Sequence, residues 1–449
     1  MRQPPAGAAA RGSGAVAGAP ADHVTPYDRF AWSERAIERW LASGRHAAEL
    51  RAYFGVQEYR QLAALARRAA RVRASPRAPR VILVPGIMGS QLGLRRPAPL
   101  PPDVLWIDPL DIERGRLSVL RLPDSAPVVP LGVVLFSYLR LKLRLCAHGI
   151  AVECHDYDWR RPVVELGREL AARLRTTDAA RLAIVGHSMG GLLARIALAQ
   201  PSIPHVERVV LLGTPNRGSF AAVQALRGTY AVVRKIARLV GEASAESLTT
   251  QVFSSFPSLY DLLPGGDGTR IDLFDPQHWP HCGPRPRAEL LAAARATRAQ
   301  LAPADERFTL IAGTGQETVT AVARVRDQFV YTLTRHGDGT VPTASATLPG
   351  ARAAYARVAH SDLTRDPLVA AAVVDLLTTG RTERLPQRLR SASRACVRIG
   401  DRELQSTHVE KVDWAALTPG QRRLFLQNLN EPPHLKLRVP RARRPRASR

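Results

Sequence analysis

The sequence predicts an α/β architecture: a mainly parallel sheet with helices on both faces and an inserted cap. Three observations carry this expectation. From Arg80 onward short apolar runs alternate with helix-like patterns, the rhythm of a sheet built from crossover connections. Within it, RLAIVGHSMGGLLARIALA at Arg181 to Ala199 runs a strand into a helix through a turn with a serine at its apex. Between Ser219 and about Glu306 the alternation breaks into helical and proline-rich pieces such as FPSLYDLLP and FDPQHWPHCGP, which read as a cap over the sheet.

The elements follow in order. Residues 1–24 are rich in Ala, Gly and Pro and read as a disordered tail. Residues 25–76 form a helical extension, in which Ser33 can cap a helix carrying Ile37, Trp40 and Leu41. The main domain is expected over 79–384. It holds a strand at Arg80 to Val84, a helix at Leu131 to Ala147 closed by Gly149, a strand at Ile150 to His155 and a helix at Pro162 to Arg175. The serine-turn strand at Leu182 to Val185 follows, then strands at Val209 to Leu212 and Phe308 to Ala312, and a helix at Pro367 to Leu377. The cap spans about 219–306. Residues 385–436 form a C-terminal extension with a capping box, Thr418-Pro419-Gly420-Gln421, opening a helix through Leu424, Phe425 and Leu429. Residues 437–449 form a basic tail expected to be disordered.

Composition narrows the class. The 449 residues suffice for one large core plus appendages. No uncharged apolar run reaches 18 residues, and Leu131 to Leu145 is interrupted by Arg140, Lys142 and Arg144, so no transmembrane helix is expected. The start of the chain lacks a solid apolar core of an export signal, so a cytoplasmic location is expected. Cys146, Cys154, Cys282 and Cys396 show no metal spacing and are too few for a disulfide scaffold. The net charge of +25 is almost all arginine, with Lys142, Lys235, Lys411 and Lys436 the only lysines. Two readings fit it: codon bias, and attraction to anionic lipid surfaces. Nucleic acid is not expected as a partner, and the oligomeric state is left open.

The chemistry centres on Ser188. In Gly186-His187-Ser188-Met189-Gly190 the glycines two before and two after the serine let strand and helix close up around a strained apex. The helix beginning there aims free N–H groups, Met189 included, at whatever sits above the hydroxyl. A bland glycine-rich turn is the alternative. A serine hydroxyl needs a base, and the base a carboxylate to fix its tautomer. Both are expected later in the chain, acid before histidine. Asp338 lies in His336-Gly337-Asp338-Gly339-Thr340-Val341-Pro342 after a strand at Val330 to Leu333, and His360 precedes the helix at Pro367. His336 is the rival base, but two neighbours on one loop cannot easily line up as acid, base and serine. Asp362 is a weaker acid candidate and otherwise a cap for the following helix, while His187 reads as a packing or supporting residue. The second oxyanion donor is expected from Pro85-Gly86-Ile87-Met88-Gly89-Ser90, with the N–H of Ile87 assigned beside that of Met189; the alternative is a turn needed only for topology.

PGIMGSQL at Pro85 to Leu92, Trp106-Ile107-Asp108, Tyr157-Asp158-Trp159-Arg160, GHSMGG at Gly186 to Gly191, Gly213-Thr214-Pro215 and GDGTVP at Gly337 to Pro342 resemble the lecithin:cholesterol acyltransferase and lysosomal phospholipase family. The resemblance spans about Val81 to Leu377. It implies an α/β-hydrolase fold, a triad of Ser188, Asp338 and His360, oxyanion donors at Ile87 and Met189, no metal or other cofactor, and acyl transfer from glycerolipid esters to water or an alcohol. The chain departs from the family in having no cysteine between Ser90 and Trp106, so the disulfide-closed lid of the animal enzymes is missing. The function expected is a serine-dependent lipid acyl hydrolase or O-acyltransferase, with Leu259, Leu262, Leu263 and Trp279 lining the acyl pocket or forming plain core. A small-ester carboxylesterase, and an inactive basic membrane-surface protein on a hydrolase scaffold, are the alternatives.

Overall fold

A computed structural model describes residues 24–31, 33–75, 78–203, 206–240, 244–265, 269–389, 395–406, 414 and 416–427. The tails expected at 1–24 and 437–449 lie outside these residues, apart from residue 24. Among the described residues the strands are β1 (Arg80–Val84), β2 (Ser90–Leu94), β3 (Asp103–Trp106), β4 (Val129–Val133), β5 (Val152–Cys154) and β6 (Leu182–His187). There follow β7 (Val206–Leu212), β8 (Phe308–Gly313), β9 (Thr318–Val325), β10 (Gln328–Thr334), β11 (Arg352–Ala356) and β12 (Val397–Gly400).

Six of them form one sheet in the order β11-β8-β7-β6-β1-β5, and every neighbouring pair is parallel. Because side chains alternate across a strand, each central strand feeds two cores. Ile82, Val84, Ile184, Val209 and Leu211 face one, and Val81, Leu83, Ala183, Val185, Val210 and Leu212 face the other. Helices Val163–Thr176 and Met189–Leu198 cover the first face, and helix Pro367–Thr379 covers the second. The sheet is therefore apolar on both sides, as its near-continuous Val, Ile and Leu runs require.

Two smaller sheets differ from the sequence expectation. Residues Val129–Val133 belong to β4, which pairs antiparallel with β2 in a sheet ordered β3-β2-β4, so the helix expected from Leu131 begins only at Leu135 and runs to Cys146. Val330 to Leu333 is a strand, but not one of the main sheet. It lies in β10, the middle of an antiparallel sheet ordered β12-β10-β9. The β4–β2 pairing is not local in sequence, and for the β9–β10 hairpin periodicity does not say which sheet the strands join.

Helices Glu34–Ser43, Ala47–Phe54 and Val56–Arg71 dock on helix Leu135–Cys146 through Ile37, Leu41, Leu50, Phe54 and Leu62 against Leu135, Leu139 and Leu143. Lys142 Nζ reinforces the contact between Glu34 and Glu38 at 2.6 and 2.7 Å.

Beside the pairing of β12 with β10, a buried carboxylate ties the C-terminal tract to the body. Asp401 accepts Arg227 Nε at 3.0 Å, the Tyr331 hydroxyl at 2.6 Å and the Phe329 N–H at 3.2 Å. Arg227 also donates to the carbonyls of Pro284 and Cys282, so cap, hairpin and C-terminal tract share one cation. Asp401→Ala would strand a guanidinium that is about 2% exposed. It is expected to lower unfolding free energy by about 3–5 kcal/mol in denaturant titrations.

Candidate active site

The elbow brings Ser188 to the carboxyl end of β6 with φ 53° and ψ −125°, a region most side chains avoid. Its own N–H donates to the Leu212 carbonyl at 2.8 Å, and its carbonyl accepts the Gly191 N–H at 3.0 Å. The flanking glycines are needed for space. A Cβ at Gly190 would lie 2.3 Å from the Val84 carbonyl oxygen, and one at Gly186 would lie 2.8 Å from the Gly191 Cα. Met189 opens the helix, so its N–H has no intrahelical acceptor.

Asp338 and His360 arrive from different layers. Asp338 follows the β9–β10 hairpin, and His360 follows β11 at the edge of the main sheet. They meet at 2.7 Å between Asp338 Oδ2 and His360 Nδ1, and the His360 N–H donates to the Asp338 carbonyl at 2.8 Å. The other carboxylate oxygen accepts the N–H groups of Thr340 and Val341 at 3.0 and 2.7 Å. Both residues are buried, as is Ser188. With Nδ1 donating to the carboxylate, the neutral ring keeps Nε2 as its basic nitrogen. Ser188 and His360 line one cavity, with no hydrogen bond formed between their side chains among the described contacts. The rivals lie elsewhere. His336 is exposed in a separate cleft, and Asp362 lies 3.5 Å from Arg365. Nor does Asp362 cap the next helix; Asp366 does, accepting the N–H groups of Leu368 and Val369.

The loop carrying Ile87 is held by four aromatic side chains. Tyr157 Oη donates to the Pro85 carbonyl at 2.6 Å, Trp159 Nε1 to that of Ser90 at 3.0 Å and Trp106 Nε1 to that of Met88 at 3.0 Å. Tyr138 Oη accepts the Gly86 N–H at 2.8 Å. The N–H of Ile87 has no hydrogen-bond partner among the described contacts. The Tyr157-Asp158-Trp159-Arg160 motif is thus a brace, and Arg160 completes it by pairing with Asp158 and Asp124 and donating to the Leu120 carbonyl.

The cavity's free interior comes to about 110 Å³. Its walls come from the Ile87 loop, Trp106 and Ile107, the start of the helix at Leu135, the cap and the C-terminal helix. From the cap come Ala221, Ala222, Ala225, Val232, Leu259 and Leu262. Leu263 and Trp279 do not line it: both are fully buried core, and Trp279 packs edge-on against Phe329 with ring centres 5.3 Å apart. Leu426 reaches the cavity from helix Pro419–Gln427, a contribution that sequence reasoning missed because its only signals were a capping box and apolar spacing. No Asp, Glu, Lys or Arg lines the cavity among the described residues. Nor do any three or more His, Cys, Asp or Glu among them make a group able to hold a metal ion.

A family described as PGAP1-like alpha/beta domain matches residues 170–253, which take in the elbow, β7 and the first cap helices. The fold is that of an α/β-hydrolase. Solved structures similar to this chain include the mature Bacillus licheniformis lipase BlEst2, at 16% identity over 68% of this chain and 94% of that one, TM-score 0.35. Tle4 in its complex with Tli4 aligns at 13% identity over 67% and 98%, TM-score 0.45. The lin2722 product of Listeria innocua aligns at 12% over 69% and 100%, TM-score 0.29. A search of curated proteins finds no match. Among the described residues no helix is long and apolar enough to cross a membrane.

Two buried histidines lie at the carboxyl ends of β5 and β6. His187 is pushed down to about 3, first by burial and then by the neighbouring His360, and burial followed by Arg173 pushes His155 down to about 4. An unfolded histidine titrates near 6.5. Between those values the unfolded chain binds protons that the folded chain does not, so stability rises with pH up to about 6.5 and falls on acidification. Neither ring nitrogen of His155 has a hydrogen-bond partner. His155→Leu is expected to flatten the decline in melting temperature between pH 6.5 and 4; an unchanged slope would remove His155 as its source.

Proposed function

We propose that this chain is a serine-dependent lipid acyl hydrolase or O-acyltransferase, of the lecithin:cholesterol acyltransferase and lysosomal phospholipase type, acting on a glycerolipid ester. The observation that carries this reading is the buried Asp338–His360 pair at 2.7 Å opening onto the same uncharged cavity as Ser188. Ser188 Oγ attacks the ester carbonyl while His360 Nε2 takes its proton, and Asp338 holds the imidazole in the tautomer that can do so. The oxyanion that develops is met by the N–H groups of Ile87 and Met189. His360 then returns the proton to the departing alkoxide, leaving the acyl group on Ser188. Water or an alcohol, deprotonated by His360, attacks that acyl-enzyme and releases the acid or a new ester. The bond from Ser188 Oγ to His360, unformed in the free site, is the kind that tightens when substrate fills the cavity.

Wall chemistry supports the substrate class. An acyl chain asks for apolar, uncharged surface, and Leu259, Leu262, Val232, the cap alanines and Leu426 supply it. Contact with an anionic membrane surface, through the chain's +25 charge, belongs to the same reading.

Fluorophosphonate labelling of wild type and Ser188→Ala, followed by incubation with acyl-labelled phospholipid with and without a long-chain alcohol, tests it. Labelling is expected in wild type alone, with free acid formed in water and a new ester when alcohol is present and transfer competes. An unlabelled wild type with no acyl product would sink the reading, and turnover of short p-nitrophenyl esters alone would replace it with a small-ester hydrolase. Asp338→Asn is expected to lower kcat by roughly three to four orders of magnitude while the protein stays folded.

A further inference from the structure

The residue before the nucleophile takes part in a connection that the proposed reaction does not use directly. Three hydrogen bonds run in series from the loop after β1 to the backbone of the base. The Gly86 N–H donates to Tyr138 Oη at 2.8 Å, Tyr138 Oη lies 2.9 Å from His187 Nδ1, and His187 Nε2 lies 3.1 Å from the His360 carbonyl oxygen. The direction of each follows from chemistry. A carbonyl only accepts, so Nε2 of His187 carries its hydrogen; the neutral ring then has Nδ1 as an acceptor, and the Tyr138 hydroxyl must donate to it. Tyr138 in turn accepts from Gly86, a backbone N–H that can only donate. All links point the same way, from the Ile87 loop to the His360 loop.

We infer that Tyr138 and His187 are positioning residues that set the oxyanion loop and the base-bearing loop at a fixed separation across Ser188. The inference rests on the reading of Ser188 as nucleophile. Neither residue acts on the reacting bond. Tyr138 fixes Gly86, whose neighbour Ile87 offers the oxyanion N–H, and His187 fixes the carbonyl of the residue whose ring takes the proton. The two loops come from opposite sides of the sheet's central strands, and no other hydrogen bond among those described joins residues 85–90 to residues 358–363. Tyr138 and His187 are nearly fully buried, and the His187 and His360 rings lie 4.8 Å apart. A second proton on His187 would turn its Nδ1 into a donor facing the Tyr138 hydroxyl hydrogen, and burial opposes that protonation.

The test compares Tyr138→Phe, His187→Leu, the double variant and His187→Gln, which keeps one donor and one acceptor. For each, kcat and KM on a long-chain p-nitrophenyl ester, the rate of fluorophosphonate labelling and the melting temperature are measured. Each of the first two is expected to lower kcat and the labelling rate by roughly 10- to 100-fold, the loss that a misplacement of about 1 Å brings, with KM within about twofold. The double variant should lose no more than the worse single, because the links act as one unit, and His187→Gln should recover part of the loss. A folded Tyr138→Phe that keeps kcat within twofold of wild type, or losses that multiply in the double, would overturn the relay. If His187→Leu does not fold, Tyr138→Phe decides alone, since it keeps the ring and removes only the hydroxyl. Wild type that fails to label overturns the Ser188 reading and the positioning role with it; wild type that labels beside an undiminished Tyr138→Phe overturns the relay only.

Discussion

The site depends on how closely the backbone after β6 approaches its neighbours. The end of β1, the turn at Ser188 and the first turn of the following helix are pressed together until no Cβ fits at Gly186 or Gly190. That contact holds Ser188 at positive φ, a conformation that costs of order 1–3 kcal/mol and persists only where the surroundings enforce it. Here the Leu212 carbonyl receives the Ser188 N–H, so the parallel register of β6 against β7 continues through the strained residue. The sheet thus determines which way the hydroxyl points. Loops only supply what it meets.

Those loops are braced rather than free. The turn from Pro85 to Ser90 is held through its carbonyls by Tyr157, Trp159 and Trp106, and through an N–H by Tyr138. The loop of Asp338 is held by its own carboxylate, one oxygen for the backbone and one for His360. Such preorganisation matters because donors already in place need not reorganise as charge develops. The cavity is less uniform in origin. Its walls join an excursion after β1, the cap between β7 and β8, and the far C-terminal helix, and Asp401 with Arg227 keeps the C-terminal tract against the cap.

The arginine excess takes on a second meaning in this light. Arg160 and Arg227 are among the largest fully buried side chains, and each spends its fork on carboxylates and backbone carbonyls. A planar guanidinium suits that task, since it satisfies several acceptors from one position where an ammonium would act as a point charge. Part of the arginine content is therefore internal scaffolding, neutralised by the carboxylates it holds.

By itself the sequence determined the parallel sheet, the elbow at Ser188, and Asp338 and His360 as the acid and base to seek, because each leaves a local trace: apolar runs, paired glycines, a polar residue just past a strand. The Ile87 loop was legible for the same reason. Only the tertiary structure decided that β10 stands in a side sheet, that Leu131 to Val133 is strand rather than helix, that Trp279 is core, and that Leu426 closes the cavity. It alone joined His187, which the sequence offers as a packing or supporting residue, to the Tyr138 hydroxyl and the His360 carbonyl. These facts depend on which segments pair across tens to hundreds of residues. No periodicity encodes that; the competition among burial, hydrogen-bond satisfaction and close packing in the folded chain does.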